Sequence, residues 1–278
     1  MLHSGNFHNG RLPGFPSDDN IRTFLDNLEH KWLNGKKLFM GIGGGEPTLH
    51  PMFAEIVERC EAMGTVTVTT NGTRPVEWWQ SLKVLPKKVV ISLHPEFTKI
   101  EKVNEVSLFL IDKGVHLQFN LSTDPDNWTG VESMYNGIDE SIQHKIIPKV
   151  LNFIGAASRQ NYNYTQEQKN KMDLMLRKTK PMGDPAMRPT AYYDDGSSGL
   201  LPSLHDLLIN KQNVFTGWEC EAGQFSFNVH FDGNVWSSIC KIKKLGRIES
   251  FVPLAEPLIC TRGPCTCPGD LVSSKRKI

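Results

Sequence analysis

Apolar and polar positions run in two rhythms over the first 150 residues. Ser17 reads as an N-cap, and Ile21, Phe24, Leu25, Leu28 and Trp32 follow it at helical spacing. Lys37 to Ile42 is a short apolar run ending in glycines, which predicts a buried strand. Phe53, Ile56, Val57, Cys60 and Met63 mark a second helical face, with Gly64 placed to cap its C-terminus. Thr65 to Thr70 is β-branched throughout and is stopped by Asn71-Gly72. Pro75 to Leu82 predicts a short helix, Lys88 to Leu93 a strand, and Val103, Val106, Phe109 and Leu110 a helical face closed by Gly114. Val115 to Leu121 and His144 to Val150 predict two more strands, with a helix marked by Val131, Met134, Tyr135 and Ile138 between them.

Strand and helix therefore alternate about five times, with strands of near-continuous hydrophobicity. Strands buried on both faces and joined by helical crossovers imply a parallel sheet. The units are too few for a closed eight-stranded barrel, so the expected fold class is α/β with an open or partial barrel. Past residue 155 the pattern weakens. Gln166 to Lys178 predicts a polar helix with Met172, Met175 and Leu176 on one side, and Pro181 to Gly199 reads as a connector. A second region starts near Asn213. Strands are expected over Gln224 to Phe231 and Val235 to Ile239, around an Asp232-Gly233-Asn234 turn. The expected division is 1–155, a connector over 156–212, a cysteine-rich region over 213–270, and a loose, solvated basic tail over 271–278.

Charge narrows the classes of function. The chain has 278 residues, 31 Lys and Arg against 30 Asp and Glu, and a net charge of +1, so no global basic field points to nucleic acid or an anionic membrane. No apolar run approaches the roughly 18 residues a spanning helix needs. Met1 to Phe7 has no basic stretch followed by an apolar one, so no signal peptide is read and a cytoplasmic, reducing setting is expected.

The strongest local signal is Gly43-Gly44-Gly45-Glu46-Pro47, directly after a predicted strand. Three glycines let a backbone approach a ligand closely and permit positive φ. A carboxylate at the C-terminal end of a parallel strand lies where such folds bind ligands, and Glu46 there suits an ammonium group. The same residues also serve as a plain turn with Glu46 at a helix N-terminus. Neither a P-loop nor a G-x-G-x-x-G pattern is present.

Five of the six cysteines, Cys220, Cys240, Cys260, Cys265 and Cys267, fall in the last quarter of the chain, which reads as metal ligation. Four thiolates suit a [4Fe-4S] cluster or tetrahedral zinc. The preferred set is Cys220, Cys240, Cys265 and Cys267, with Cys260 as the alternate. Cys60 lies on an apolar helical face and reads as packing. Trp78 and Trp79 read as packing, His50 as shaping the start of a helix, and His94 as a substrate contact at a strand end. Trp218 and Trp236 are placed to shield a cluster.

Gly43 to Pro51 resembles the GGEP segment of radical S-adenosylmethionine (radical SAM) enzymes. Thr69-Thr70-Asn71-Gly72, Ile91-Ser92-Leu93-His94, Asn120 and Pro148 are similar to that family's later strand endings, in the same order. The resemblance covers roughly residues 1 to 155. It implies a partial (β/α)6, TIM-like barrel, here lacking its first strand. It implies that Gly44, Gly45, Glu46 and Pro47 receive the amino group of S-adenosylmethionine. Ser92 and Asn120 would then contact its carboxylate and ribose. The stretch from Cys220 to Cys240 resembles the family's SPASM or twitch region, which implies an auxiliary [4Fe-4S] cluster. An electron donor and a peptide, protein or small-molecule substrate are implied partners. The implied chemistry is oxidoreductase-type, by a 5′-deoxyadenosyl radical.

The chain departs from the family at one point: no C-x3-C-x2-C motif is present, and no cysteine precedes Glu46. The radical-generating cluster is therefore expected only in a longer form, and truncation is favoured over real loss. The alternative reading is a non-catalytic binding protein on a degenerate barrel with structural zinc.

Overall fold

The computed structural model describes residues 16–151, 163–179, 190–192, 196–200, 212–265, 268–271 and 273–278. Chain contacts group them into two units, one with residues 33–151 and 163–179 and the other with residues 16–32 and the described residues from 190 onward.

The first unit is a βα repeat. It runs β1 (Leu38–Ile42), α2 (Phe53–Met63), β2 (Gly64–Thr70), α3 (Val76–Gln80), β3 (Lys88–Leu93), α4 (Ile100–Asp112), β4 (His116–Thr123), α5 (Trp128–Gly137), α6 (Glu140–Gln143), β5 (Ile146–Val150) and α7 (Gln166–Lys178). The strands are all parallel and lie in the order β1-β2-β3-β4-β5. Every predicted helix and strand of this region is present, within a few residues of its expected ends. Gly64 caps α2, its amide donating to the Cys60 carbonyl, and is also the first residue of β2, with φ 172°. A Cβ there would sit 2.0 Å from the Leu38 carbonyl oxygen, so close backbone approach of β1 requires glycine.

Burial corrects one expectation. The strands are not buried on both faces; they alternate, most plainly in β4. Val89, Ile91 and Leu93 of β3, Leu117, Phe119 and Leu121 of β4 and Ile146 of β5 point to one side. There they pack against Trp79, Val103, Val106, Leu110, Val131 and Met134 from α3, α4 and α5. A strand order without reversal lets each crossover helix return over the same face. The opposite face carries Thr67, Thr69, Ser92, Gln118, Asn120 and Ser122, all half-buried. On α7, Thr165 and Gln168 form a capping box. Met172 and Met175 are buried, whereas Leu176 is 46% exposed.

The second unit includes α1 (Asp18–Asn27), capped by Ser17 through its side chain and Asn20 N, and a π-helical turn over Leu28–Trp32. Its aromatic cluster joins both ends of the sequence: Trp32 lies 4.4 Å from Phe251 and Phe24 6.0 Å from Phe251, between ring centroids. Strands β6 (Thr190–Tyr192) and β7 (Ser198–Leu200) pair with each other. Strands β9 (Asn228–Val229), β10 (Asn234–Trp236) and β11 (Lys244–Arg247) form one antiparallel sheet. Strands β8 (Glu219–Cys220), β12 (Leu258–Ile259) and β13 (Lys275–Arg276) form another.

The Asp232-Gly233 turn is where the sequence places it, with Gly233 at φ 79°. Its strands are shorter than expected. The amides of Ile239 and Cys240 bond the Asp270 carboxylate, at 3.0 and 2.9 Å, instead of a partner strand. The tail is not loose. Lys275 pairs with Cys220 in β-register, its ammonium donates to the carbonyls of Asp270, Leu271 and Ser273, and Arg276 pairs with Glu219. Among the described residues, no helix is long and apolar enough to cross a membrane.

Candidate functional site

The glycine turn leaves the C-terminal end of β1 with its backbone open. Gly43, Gly44 and Gly45 are exposed, and Gly44 and Gly45 adopt φ of 87° and 56°, a region that favours glycine. Pro47 then starts a 3-10 turn, Pro47–Leu49, capped by Glu46.

Glu46 is held from two directions. Its Oε1 accepts from the Thr48 amide (3.2 Å), the Thr48 hydroxyl (2.6 Å) and the Thr70 hydroxyl (2.7 Å). Its Oε2 accepts from the Asn71 amide (2.7 Å). A carboxylate offers about four lone-pair positions. Oε1 is crowded, and Oε2 keeps room for one further donor. The turn is thereby tied to the end of β2, and Gly72 at φ 71° bends the chain away. Arg74 adds a second clamp. Its Nε and Nη2 donate to the Thr48 carbonyl (3.2 and 2.8 Å), while its guanidinium lies 4.9 Å from the Trp78 ring centroid.

Ser92 and Asn120 are cross-strand neighbours on β3 and β4, on the polar face of the sheet. Gln118 Nε2 donates to Asn120 Oδ1 at 2.9 Å, which leaves the Asn120 amide nitrogen as the outward donor. His94 is exposed, and its Nδ1 lies 3.3 Å from Ser122 Oγ. His50 shapes the start of α2, its Nδ1 accepting from Met52 N and its carbonyl from Phe53 N. Trp79 is fully buried and packs edge-on against Trp78. Cys60 is also fully buried, its thiol 3.5 Å from the Met40 sulfur.

In the second unit, Cys220 sits on β8 between Leu258 and Lys275. Cys260 donates its amide to the Trp218 carbonyl, Cys265 donates its amide to the Asn213 carbonyl, and the Cys240 sulfur lies 2.8 Å from Ser238 Oγ. Burial pushes the Cys220 thiol up. The Ala222 amide and Lys275 oppose that shift, and Cys260 and Cys240 add to it. Burial pushes Cys265 up to about 11; Lys275 opposes, while Asp270, Cys240 and Cys220 add. Cys220 thus lies within the fields of Cys240 and Cys260, and Cys265 within those of Cys220 and Cys240. Cys267 lies outside the described residues. Among the described residues, no group of three or more His, Cys, Asp or Glu side chains is arranged to hold a metal ion.

Sequence reasoning missed the bonds from Thr70 and Asn71 to Glu46, although it noted Thr-Thr-Asn-Gly as a strand ending. It also missed Arg74 and Asp270, for which no local pattern gives a signal.

No protein-family model matches the chain, and no characterised protein matches it by sequence. Solved structures do match in fold. The chain is similar to native anSMEcpe with bound AdoMet and Kp18Cys peptide, at 17% identity and a TM-score of 0.52, covering 88% of this chain and 73% of that one. It is similar to native anSMEcpe with bound AdoMet at 16% identity and a TM-score of 0.51, covering 84% of this chain and 69% of that one. A third match is native anSMEcpe with bound AdoMet and Cp18Cys peptide, at 16% identity, a TM-score of 0.51, and coverage of 84% and 70%. The chain shares its fold with these anSMEcpe structures over most of its length, in keeping with the α/β architecture that the glycine turn and its companion motifs implied.

Proposed function

We propose that this chain binds S-adenosylmethionine at the C-terminal ends of β1 to β4, and that it belongs to a radical SAM-type system acting on a peptide. In this reading the parallel sheet is an arc of a partial (β/α)6 barrel. One observation carries the reading: three exposed glycines, two at positive φ, on a turn that a neighbouring strand holds in place through Glu46. A turn serving only as a connection needs no such clamp. The solved anSMEcpe structures support it, because they hold AdoMet and, in two cases, a peptide.

The residues fit the cofactor. The ammonium of its methionine moiety would meet the carbonyls of Gly44 and Gly45 and the spare position on Glu46 Oε2. Pro47 fixes the backbone that follows. Ser92 and the Asn120 amide nitrogen would donate to the carboxylate and ribose. When reduced by an iron–sulfur cluster, S-adenosylmethionine supplies a hydrogen-abstracting radical. This chain has no C-x3-C-x2-C motif, so its own residues account for binding and orientation, and no radical step is assigned to them.

The donor chemistry of Cys220, Cys240, Cys260, Cys265 and Cys267 suits an auxiliary [4Fe-4S] cluster, with four ligands drawn from the five. Calorimetric titration of the anaerobically purified chain with S-adenosylmethionine tests the first claim, and absence of saturable binding refutes it. Elemental analysis tests the second. Iron with a broad absorption near ~400 nm supports it, and stoichiometric zinc supports a structural site on a binding protein instead.

A further inference from the structure

The turn that carries Cys240 is held more firmly than an exit from a hairpin strand requires. Ser237 and Ser238, the two residues after β10, are 0% and 3% exposed, and their hydroxyls go to different places. Ser237 Oγ accepts from the Lys243 amide at 3.2 Å, an ordinary turn bond. Ser238 Oγ lies 2.8 Å from the Cys240 sulfur. The amides of Ile239 and Cys240 donate to Asp270 Oδ1 and Oδ2, and Asp270 is 7% exposed. Burying a carboxylate is costly, and this one serves two consecutive amides of one turn. Lys241 closes the turn, its amide donating to the Ser238 carbonyl at 3.1 Å. Its φ is 54°, a region that non-glycine residues rarely adopt and hold only where the surroundings over-determine it.

Asp270 also reaches the other side of the cysteine group. Its carbonyl accepts from the Lys275 ammonium, and Lys275 stands opposite Cys220 in the register of β8 and β13. One residue therefore joins the Cys240 turn to the strand that carries Cys220.

We propose that Ser238 and Asp270 are positioning residues for Cys240 as a ligand of the cysteine centre. Asp270 fixes the Cys240 backbone, and the Ser238 hydroxyl bonds its sulfur. The proposal rests on the reading of the late cysteines as an iron–sulfur site, and it makes Cys240 one of the four ligands drawn from the five. A ligating sulfur carries no proton, so the serine hydroxyl is the donor. A hydrogen bond to a ligand sulfur favours the more negative, reduced state of a cluster and raises its potential.

The test uses the full chain, reconstituted anaerobically with iron and sulfide, beside Ser238→Ala, Ser237→Ala and Asp270→Asn. Iron per chain, the absorption spectrum under a stepped applied potential, and amide hydrogen exchange are measured. Ser238→Ala is expected to keep the iron content of the parent but to lower the potential. At a fixed applied potential the ratio of reduced to oxidised cluster should fall at least about threefold. Ser237→Ala removes an equally buried hydroxyl one residue away, and should lower the melting temperature while leaving that ratio unchanged. Asp270→Asn keeps one acceptor and turns an NH2 group toward the other amide. Exchange at Ile239 and Cys240 should accelerate at least about tenfold, and iron per chain should fall by at least about a quarter, the share one ligand of four holds. A Ser238→Ala potential equal to that of the parent, an equal shift in Ser237→Ala, or parent iron content in a folded Asp270→Asn chain would overturn the proposal. If Asp270→Asn does not fold, the two serine variants decide the matter. A parent that takes up no iron overturns the cluster reading and this proposal together, whereas a parent that loads iron and shows no serine effect overturns this proposal alone.

Discussion

Replacing Glu46 with alanine removes the acceptor for four donors at once. Two of them, the hydroxyls of Thr48 and Thr70, belong to residues that are only 1% and 2% exposed and cannot readily turn to water. The other two are amides of Thr48 and Asn71. Hydrogen bonds to a charged acceptor contribute about 1.5–3 kcal/mol each when buried, and much less where water competes. Counting the two hydroxyl bonds near the low end and the amides as largely rehydrated gives a loss of about 3 kcal/mol. For a unit of this size that corresponds to a fall of about 6–12 °C in melting temperature. Glu46→Gln keeps one carbonyl but places an amide NH2 against a donor, so about half that loss is expected. Both variants also lose the negative charge that the proposed site offers the ammonium group of S-adenosylmethionine, and the affinity for it should drop at least about tenfold in each. Differential scanning calorimetry and titration calorimetry read the two effects. A Glu46→Ala protein that melts with the parent and binds S-adenosylmethionine within about twofold of it would refute the account of the turn.

Gly64→Ala should cost about 3 kcal/mol, measured by urea unfolding, because its Cβ would meet Leu38 backbone atoms at 2.0 and 2.6 Å; an unchanged midpoint would contradict the packing of β1 on β2. Burial pushes the Cys60 thiol up to about 12, so iodoacetamide should label it in the folded chain far more slowly than the unfolded chain near pH 8. The folded chain holds that proton more tightly than the unfolded one, so this group contributes stability that declines as pH rises from about 9 to about 12, and Cys60→Ala should flatten the decline. Lys275→Met removes the donor shared by three carbonyls, and hydrogen exchange at Cys220 and Glu221 should accelerate about tenfold or more; unchanged exchange would show that β13 holds without it.

Much of the first unit was legible in the residues because its elements are written in short-range periodicity. Apolar positions at helical spacing mark α2, α4 and α5, and β-branched runs mark β2 and β3. The role of Cys60 followed from its place on an apolar helical stripe. The tail was misread because Lys275 and Arg276 look like surface charge until their partners are known. Those partners are the carbonyls of Asp270, Leu271 and Ser273 and the carboxylate of Glu219. The short hairpin strands have the same origin: Asp270, thirty or so positions downstream, takes the amides that would have extended the ladder.

Sequence by itself determined the order and type of the βα elements, the open glycine turn, and the group of late cysteines, because each depends on neighbours a few residues apart. Tertiary structure decided which face of the sheet meets the helices and which donors hold Glu46. Those facts depend on strand order and register, which bring together residues 24 or more positions apart, and no local pattern encodes such pairings.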